Sequence, residues 1–455
     1  MKITILGGGG FRVPLVVGGL LDRAARLAVD EVALHDVDPE RQARISTVLE
    51  GLQAERGTRL RIRRAATLDD ALDGAAFVFC AIRVGGLEGR VIDEAVPLAE
   101  GVIGQETVGP GGIAFALRTV PVMRRIGERV AAIAPDAWLL NFTNPAGLVT
   151  EALRDVVGDR AIGICDTPAS LARRVAGALG RDEAELRFDY AGINHCGWLR
   201  GVLDGRDGRD GRDLMPGLLA DADLVATLLE GRLFGVERLR DLGMIPNEYV
   251  YFHEAPAATV AAVRDATEPR GSLLLRRQLA FYAADRSPAE ALAAWREALR
   301  DRRRTYFAEA RAAAGLPASD AAEPTQPGGY ERVALDAVEA IALDRPAELI
   351  LDIANGTALP FLDAEAVVEV PCRVDGRGAV PLAPGPLPRR AQALLETLKT
   401  VERLTIRAAL TRSRALAVEA LARHPLVPSE GVAQRIFDGY ASRHPELRDW
   451  ASVPA

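Results

Sequence analysis

The first apolar run of the chain, KITILG (2–7), opens the run Gly7-Gly8-Gly9-Gly10, which is followed by Phe11-Arg12-Val13-Pro14. Glycines between a strand and a helix permit a tight turn and let a ligand approach the backbone closely. The amides opening the helix can then receive a pyrophosphate. The run departs from a strict G-x-G-x-x-G, because Val13 stands where the third glycine after Gly8 and Gly10 would fall. The second apolar run ends in His35-Asp36-Val37-Asp38, which puts the Asp36 carboxylate where an adenosine ribose would be held. This pattern points to NAD rather than NADP. The plainer alternative is a ligand-free turn with Asp36 capping the next helix.

Further apolar runs follow at AFVFCAI (76–82), AWLLNF (137–142) and AIGIC (161–165), separated by segments with apolar residues at helical spacing. Strands alternating with helices require parallel pairing through right-handed crossovers. The expected fold is therefore α/β, with an N-terminal Rossmann-like doubly wound parallel sheet. After about residue 186 the pattern changes. FDYAGINHCGWLRGVLDG suggests paired strands, GRDGRDGRD a polar turn, and about 220–314 a long helical section. The stretch 315–329 is loop-like. AELILDIAN and AVVEVPCRV suggest more strands, before a strongly helical end with a broad apolar face suited to core or subunit interface. A chain of 455 residues exceeds one simple core. We expect an NAD-binding domain over 1–168 and a mixed α+β domain for substrate, metal and oligomerisation over 169–455.

With 63 acidic against 56 basic residues the net charge is −7, which disfavours nonspecific nucleic-acid binding. Cys80, Cys165, Cys196 and Cys372 are far apart, as in a protein with reduced thiols. No apolar run approaches the roughly 18 residues of a membrane span, and the start lacks a signal-peptide pattern. A cytoplasmic location is expected.

The expected strand ends are rich in polar groups: RVGGLEGR (83–90), IGQETVGPGG (103–112), NFTNP (141–145), Cys165-Asp166, and INHCGW around His195. Ligands of open α/β sheets bind at the carboxyl ends of strands, so these islands suggest one polar cleft. Each alone could be turn chemistry. Cys165 could be a small core hydrophobe and Asp166 a helix cap. A thiolate and an imidazole also suit a first-row divalent cation, which makes Cys165 and His195 candidate ligands.

Taken together, GGGGFRVP, RVGGLEGR, GVIGQETVGPGG, NFTNPAG, GICDTP and GINHCGW occur in the order and spacing of glycoside hydrolase family 4, whose 6-phospho-β-glucosidases the chain most resembles. The resemblance continues through IPNEYVYF, VEVPC and the helical tail. It implies bound NAD⁺ and a divalent metal, typically manganese, held by Cys165 and His195 with sugar O2 and O3. Such enzymes are exceptions to hydrolysis by two carboxylates. Hydride leaves C3, the resulting ketone acidifies the C2 proton, the C1 substituent is eliminated, water adds, and hydride returns. The resemblance makes Tyr249 the base, with Tyr251 in reserve; a phenol would need acidification by the metal. It matches Arg90, Asn144 and Arg270 to the sugar 6-phosphate and puts Glu106 near the sugar. Gly7, Gly8, Gly9, Gly10, Phe11, Arg12, Asp36 and Asn141 form the expected cofactor wall.

Asp166 departs from the β-glucosidases, which often carry asparagine there. Members acting on α-linked substrates typically have aspartate, which protonates the leaving group, so a 6-phospho-α-glucosidase is the alternative. The QPGGYERVALDA loop also lacks an arginine and a second aromatic expected near its glycines. The expected partner is a phosphorylated disaccharide or 6-phosphoglycoside, and the assembly a homodimer or homotetramer. A hydroxy-acid dehydrogenase is the reading from a different class, since its N-terminal architecture is similar; it would accumulate NADH with product.

Overall fold

The computed structural model describes residues 1–205, 211–317 and 329–452. Most of the expected polar turn and most of the 315–329 loop lie outside these residues. The described residues form twelve strands in one sheet: β1 (Lys2–Leu6), β2 (Glu31–His35), β3 (Arg61–Arg64), β4 (Ala75–Cys80), β5 (Trp138–Asn141), β6 (Ala161–Gly163), β7 (Leu186–Ile193), β8 (Cys196–Asp204), β9 (Ile245–Pro246), β10 (Ala347–Ala354), β11 (Val367–Asp375) and β12 (Gly378–Pro381). Their order is β3-β2-β1-β4-β5-β6-β10-β11-β7-β8-β9, with β12 paired to β11.

The half from β3 to β6 is parallel throughout. Its strands read as continuous apolar runs because helices cover both faces. Ile3, Ile5, Val32, Leu34, Phe77 and Phe79 enter one core, while Leu6, Val78, Cys80 and Leu139 enter the other. Full burial of each large aliphatic or aromatic side chain contributes about 1.5–3 kcal/mol. β3 escaped the sequence reading. Its sequence is RIRR, it lies at the sheet edge, and its two terminal arginines are exposed. A charged edge strand has no apolar face to announce it.

The helix Pro39–Arg56 starts where Asp38 accepts hydrogen bonds from the amides of Glu40 (3.1 Å) and Arg41 (2.9 Å), and it stops at Gly57 with φ +63°. Thus Asp38, not Asp36, caps this helix. Asp36 is left for other work.

Beyond β6 the sheet turns antiparallel. β10 and β11 bridge the two halves: Asp352 pairs with Gly163 of β6, and Glu369 pairs with Gly192 of β7. The carboxyl end of β6 thereby meets the tip of the β7–β8 hairpin. The long helix Arg389–Thr411 in the C-terminal part of the chain lays Leu404, Ala408 and Ala409 into the same core as the helix Gly109–Ile133. Much of the apolar face expected for core or interface is therefore buried within the chain itself. No helix among the described residues is long and apolar enough to cross a membrane.

Candidate active site

The glycine turn is shaped by backbone hydrogen bonds. The amides of Gly7 and Gly8 both donate to the carbonyl of His35 at 2.9 Å, and that of Gly10 donates to Gly7 at 2.8 Å. Gly7 has φ +82°, and a Cβ there would stand 2.5 Å from the carbonyl oxygen of Ala81. Only glycine fits. Asp36 reaches back to this turn and accepts from the Gly9 amide at 2.8 Å. Gly7, Gly10, Phe11, Arg12 and Asp36 line a cleft of about 1390 Å³, together with Tyr282, whose hydroxyl donates to the Gly9 carbonyl at 2.8 Å.

Asn141 is not in that wall. It is fully buried, and its amide is consumed locally: it donates to Thr143 O, Ala146 O and Thr150 Oγ1 and accepts from the Thr143 amide. Its task is to hold the turn after β5. Gly8 and Gly9 likewise shape the turn without lining the cleft.

A second cleft, of about 1270 Å³, gathers Arg90, Asn144, Asp166, His195, Tyr249 and Arg270. Arg12, Glu106, Asn144 and Arg302 line both clefts, so the two meet at a common wall. Arg90 is 3% exposed and pairs through Nε with Glu94 (2.8 Å) and through Nη1 with Glu106 (2.9 Å). Arg83 also donates to Glu106, at 2.6 Å. Burial alone would raise the Glu106 pKa, but Arg90 and then Arg83 outweigh it and hold the carboxyl well below the usual range. Glu106 is thus an ionised anchor for arginines. The Arg270 guanidinium donates to Thr305 Oγ1 (2.7 Å) and to the Arg302 carbonyl (3.3 Å). Burial and then the neighbouring Arg12 and Arg270 work against the charge of Arg302. Crowded guanidiniums of this kind favour a negative charge nearby.

Asp166 occupies the N-cap position of the helix Thr167–Ala178, yet its side chain makes no capping bond. Its carboxyl faces the cleft, and burial pushes its pKa up, with Arg12 opposing. His195 sits at the tip of the β7–β8 hairpin with φ +63°. Its Nδ1 is buried without a hydrogen-bond partner, and burial drops its pKa to about 4. The ring is neutral, which is the state a metal requires. Its plane lies against that of Tyr249, the centroids being 3.9 Å apart. Burial pushes the Tyr249 phenol above its ordinary pKa. Tyr251 packs edge-on against Phe234 and does not line the cleft.

Cys165 is 5% exposed behind this surface. Burial, then Glu369, pushes its thiol pKa well up. Glu369 accepts from Tyr190 Oη at 3.0 Å, and its charge is felt at Cys165. The strand pairings of Asp352 with Gly163 and of Glu369 with Gly192 set this buried carboxyl between the β6 end and the hairpin tip. Among the described residues no three His, Cys, Asp or Glu side chains converge as a metal cage. A cation held by Cys165 and His195 would need ligands from elsewhere, as the substrate-completed site expected above does.

Comparison with known proteins decides the lineage. Residues 2–181 match the description "Family 4 glycosyl hydrolase", and residues 190–427 match "Family 4 glycosyl hydrolase C-terminal domain". The chain belongs to glycosyl hydrolase family 4. This family 4 enzyme is 32% identical to 6-phospho-alpha-glucosidase 1 of Lacticaseibacillus paracasei, with 96% of each chain covered. Its fold matches the 6-phospho-beta glucosidase of Thermotoga maritima, solved with manganese, NAD⁺ and glucose-6-phosphate, at TM-score 0.81 and 26% identity over 98% of this chain and 99% of that one. It also matches a 6-phospho-alpha-glucosidase from gut microorganisms in complex with NAD and Mn²⁺, at TM-score 0.80 and 25% identity over 97% of both.

Four residues of the family 4 enzyme's cleft region escaped the sequence reading: Arg302, Tyr306, Glu248 and Glu369. Arg302 is hidden in the run RDRRRTYF, which looks like a solvated helix end. Glu369 left a signal, being a carboxylate inside the otherwise apolar VVEVP, and buried charges are rare without a task.

Proposed function

We propose that this family 4 glycosidase hydrolyses 6-phospho-α-glucosides, using NAD⁺ and a divalent cation such as Mn²⁺. The observation that carries the reading is the common wall of Arg12, Glu106, Asn144 and Arg302, which sets the glycine-turn cleft beside the cleft that holds Tyr249. The residues fit both groups. Gly7 leaves no room for a Cβ where the turn meets Ala81, a cradle suited to a dinucleotide. The orphaned, neutral Nδ1 of His195 and the Cys165 thiol are suitable donors for the cation. When bound, the cofactor supplies a reversible hydride acceptor and the cation a Lewis acid that also favours ionised thiol and phenol.

The chain's own residues do the rest. Arg90, Arg270, Arg302 and Asn144 hold the 6-phosphate, with Glu106 keeping the guanidiniums in place. Tyr249 takes the proton from C2. Asp166, whose carboxyl pKa is raised by desolvation against the pull of Arg12, gives a proton to the leaving oxygen. That role favours the α-linked substrate, and so does the Lacticaseibacillus relative's name. The β-linked substrate is the second reading, supported by the Thermotoga structure.

The test is parallel incubation of the protein with 4-nitrophenyl 6-phospho-α- and β-glucosides, NAD⁺, Mn²⁺ and reductant. Preferential release from the α-anomer is expected. Release from the β-anomer alone would select the second reading, and no release from either would overturn both.

A further inference from the structure

The base proposed above is buried, and a buried phenol needs something to fix its oxygen. Stacking on His195 fixes only the plane of the Tyr249 ring. Phe307 abuts the ring edge-on, with centroids 5.2 Å apart, and restricts its tilt without touching the oxygen's hydrogen-bonding needs. Among the described residues, the polar group within hydrogen-bonding reach of that oxygen is another phenol. The hydroxyls of Tyr249 and Tyr306 are 3.5 Å apart, and the Tyr306 hydroxyl donates to Oε1 of Glu248 at 3.1 Å. Tyr306 has a single proton to give. Committed to the carboxylate, it leaves lone pairs facing Tyr249; turned toward Tyr249, it supports that oxygen as an acceptor.

We propose that Tyr306 and Glu248 are positioning residues for Tyr249, a two-link hydrogen-bonded chain that sets where the oxygen of the base stands. The inference rests on the reading of Tyr249 as the base.

Both links are themselves held. Glu248 is 1% exposed and sits 3.4 Å from the Arg174 guanidinium, which also pairs with Glu230. Tyr306 follows Thr305, whose hydroxyl accepts from Arg270 at 2.7 Å, and the Arg270 guanidinium lies 5.8 Å from the centre of the Tyr306 ring. Tyr306 therefore stands between an arginine assigned to the 6-phosphate and the tyrosine assigned to C2. An anion drawing on Arg270 acts on the segment that carries Tyr306. Phosphate recognition and alignment of the base share one piece of chain.

The test uses the full-length protein with NAD⁺, Mn²⁺ and 4-nitrophenyl 6-phospho-α-glucoside (the β-anomer if that proves the substrate), protiated or deuterated at C2. Tyr306→Phe keeps the ring and removes only the hydroxyl; Glu248→Gln keeps the shape and removes the charge. Tyr306→Phe is expected to lower kcat about tenfold or more, leave KM and NAD⁺ affinity within about twofold, and enlarge the isotope effect. Glu248→Gln is expected to move the same quantities in the same direction. Wild-type kcat in both variants would overturn the proposal, as would parallel losses of kcat, KM and NAD⁺ affinity with an unchanged isotope effect. Tyr249→Phe separates the two readings. Retained turnover in that variant removes the base and this inference with it. An inactive Tyr249→Phe beside an unimpaired Tyr306→Phe removes the inference alone.

Discussion

The imidazole of His195 lies flat on the phenol of Tyr249, with ring centroids 3.9 Å apart and planes 2° from parallel. A candidate cation ligand and a candidate base are thus held face to face, although 53 positions of sequence separate residue 195 from residue 249 once the intervening residues are counted. The hairpin β7–β8 delivers the first and the short strand β9 the second, because Trp198 of β8 pairs with Pro246 of β9.

Cys165→Ser removes a soft ligand while changing almost no volume. The fold should persist, with an unaltered near-ultraviolet circular dichroism spectrum, while Mn²⁺ affinity falls by at least about tenfold. A Mn²⁺ titration identical to wild type would show that the sulfur is not a ligand.

Asp166→Asn keeps the hydrogen-bonding shape and removes the acid. Turnover of an alkyl 6-phospho-α-glucoside should drop about 10²–10⁴-fold, the range of general acid catalysis. A 4-nitrophenyl substrate, whose leaving group needs little protonation, should lose far less. Equal losses on both substrates would assign Asp166 to something other than proton donation.

How much of this was visible beforehand depended on the surroundings of each residue. The glycine turn and the parallel strands were legible because both-sides burial writes apolar runs, and because Gly7 alone tolerates its contact with Ala81. Cys165, Asp166 and His195 stood out as polar groups at strand ends. Asn141 stood out in the same way, and its side-chain amide bonds within the turn after β5. Arg302 and Tyr306 were invisible because their role comes from tertiary crowding. No local spacing encodes that a helix end will face Arg90 and Arg270.

Arg302→Gln tests that crowding without breaking the Arg90 pairs with Glu94 and Glu106. Loss of one charge-assisted phosphate contact, about 1.5–3 kcal/mol, should raise KM for the phosphorylated substrate by about tenfold or more and leave kcat nearly unchanged. Steady-state kinetics at several ionic strengths checks this. An unchanged KM would take Arg302 out of the phosphate site.

Lys399 tests how the C-terminal helix is fastened. It is 3% exposed, and its ammonium lies 2.9 Å from Glu151 and 2.5 Å from Glu402 while donating to the Val367 carbonyl. Lys399→Met leaves Glu402 without this cation and Glu151 with Arg403 alone, and urea unfolding should report a loss of about 3–5 kcal/mol. Stability within about 0.5 kcal/mol of wild type would show that the cluster is not a structural clamp.

The most direct measurement of the central claim is a count of turnovers against cofactor. The protein is stripped of NAD⁺, supplied with Mn²⁺ and the phosphorylated glucoside, and followed for sugar release and for absorbance of NADH, before and after NAD⁺ is restored. The account requires no release without NAD⁺, many turnovers per NAD⁺ once it is restored, and no net NADH. Full activity in the stripped protein, or NADH accumulating in step with product, would contradict it.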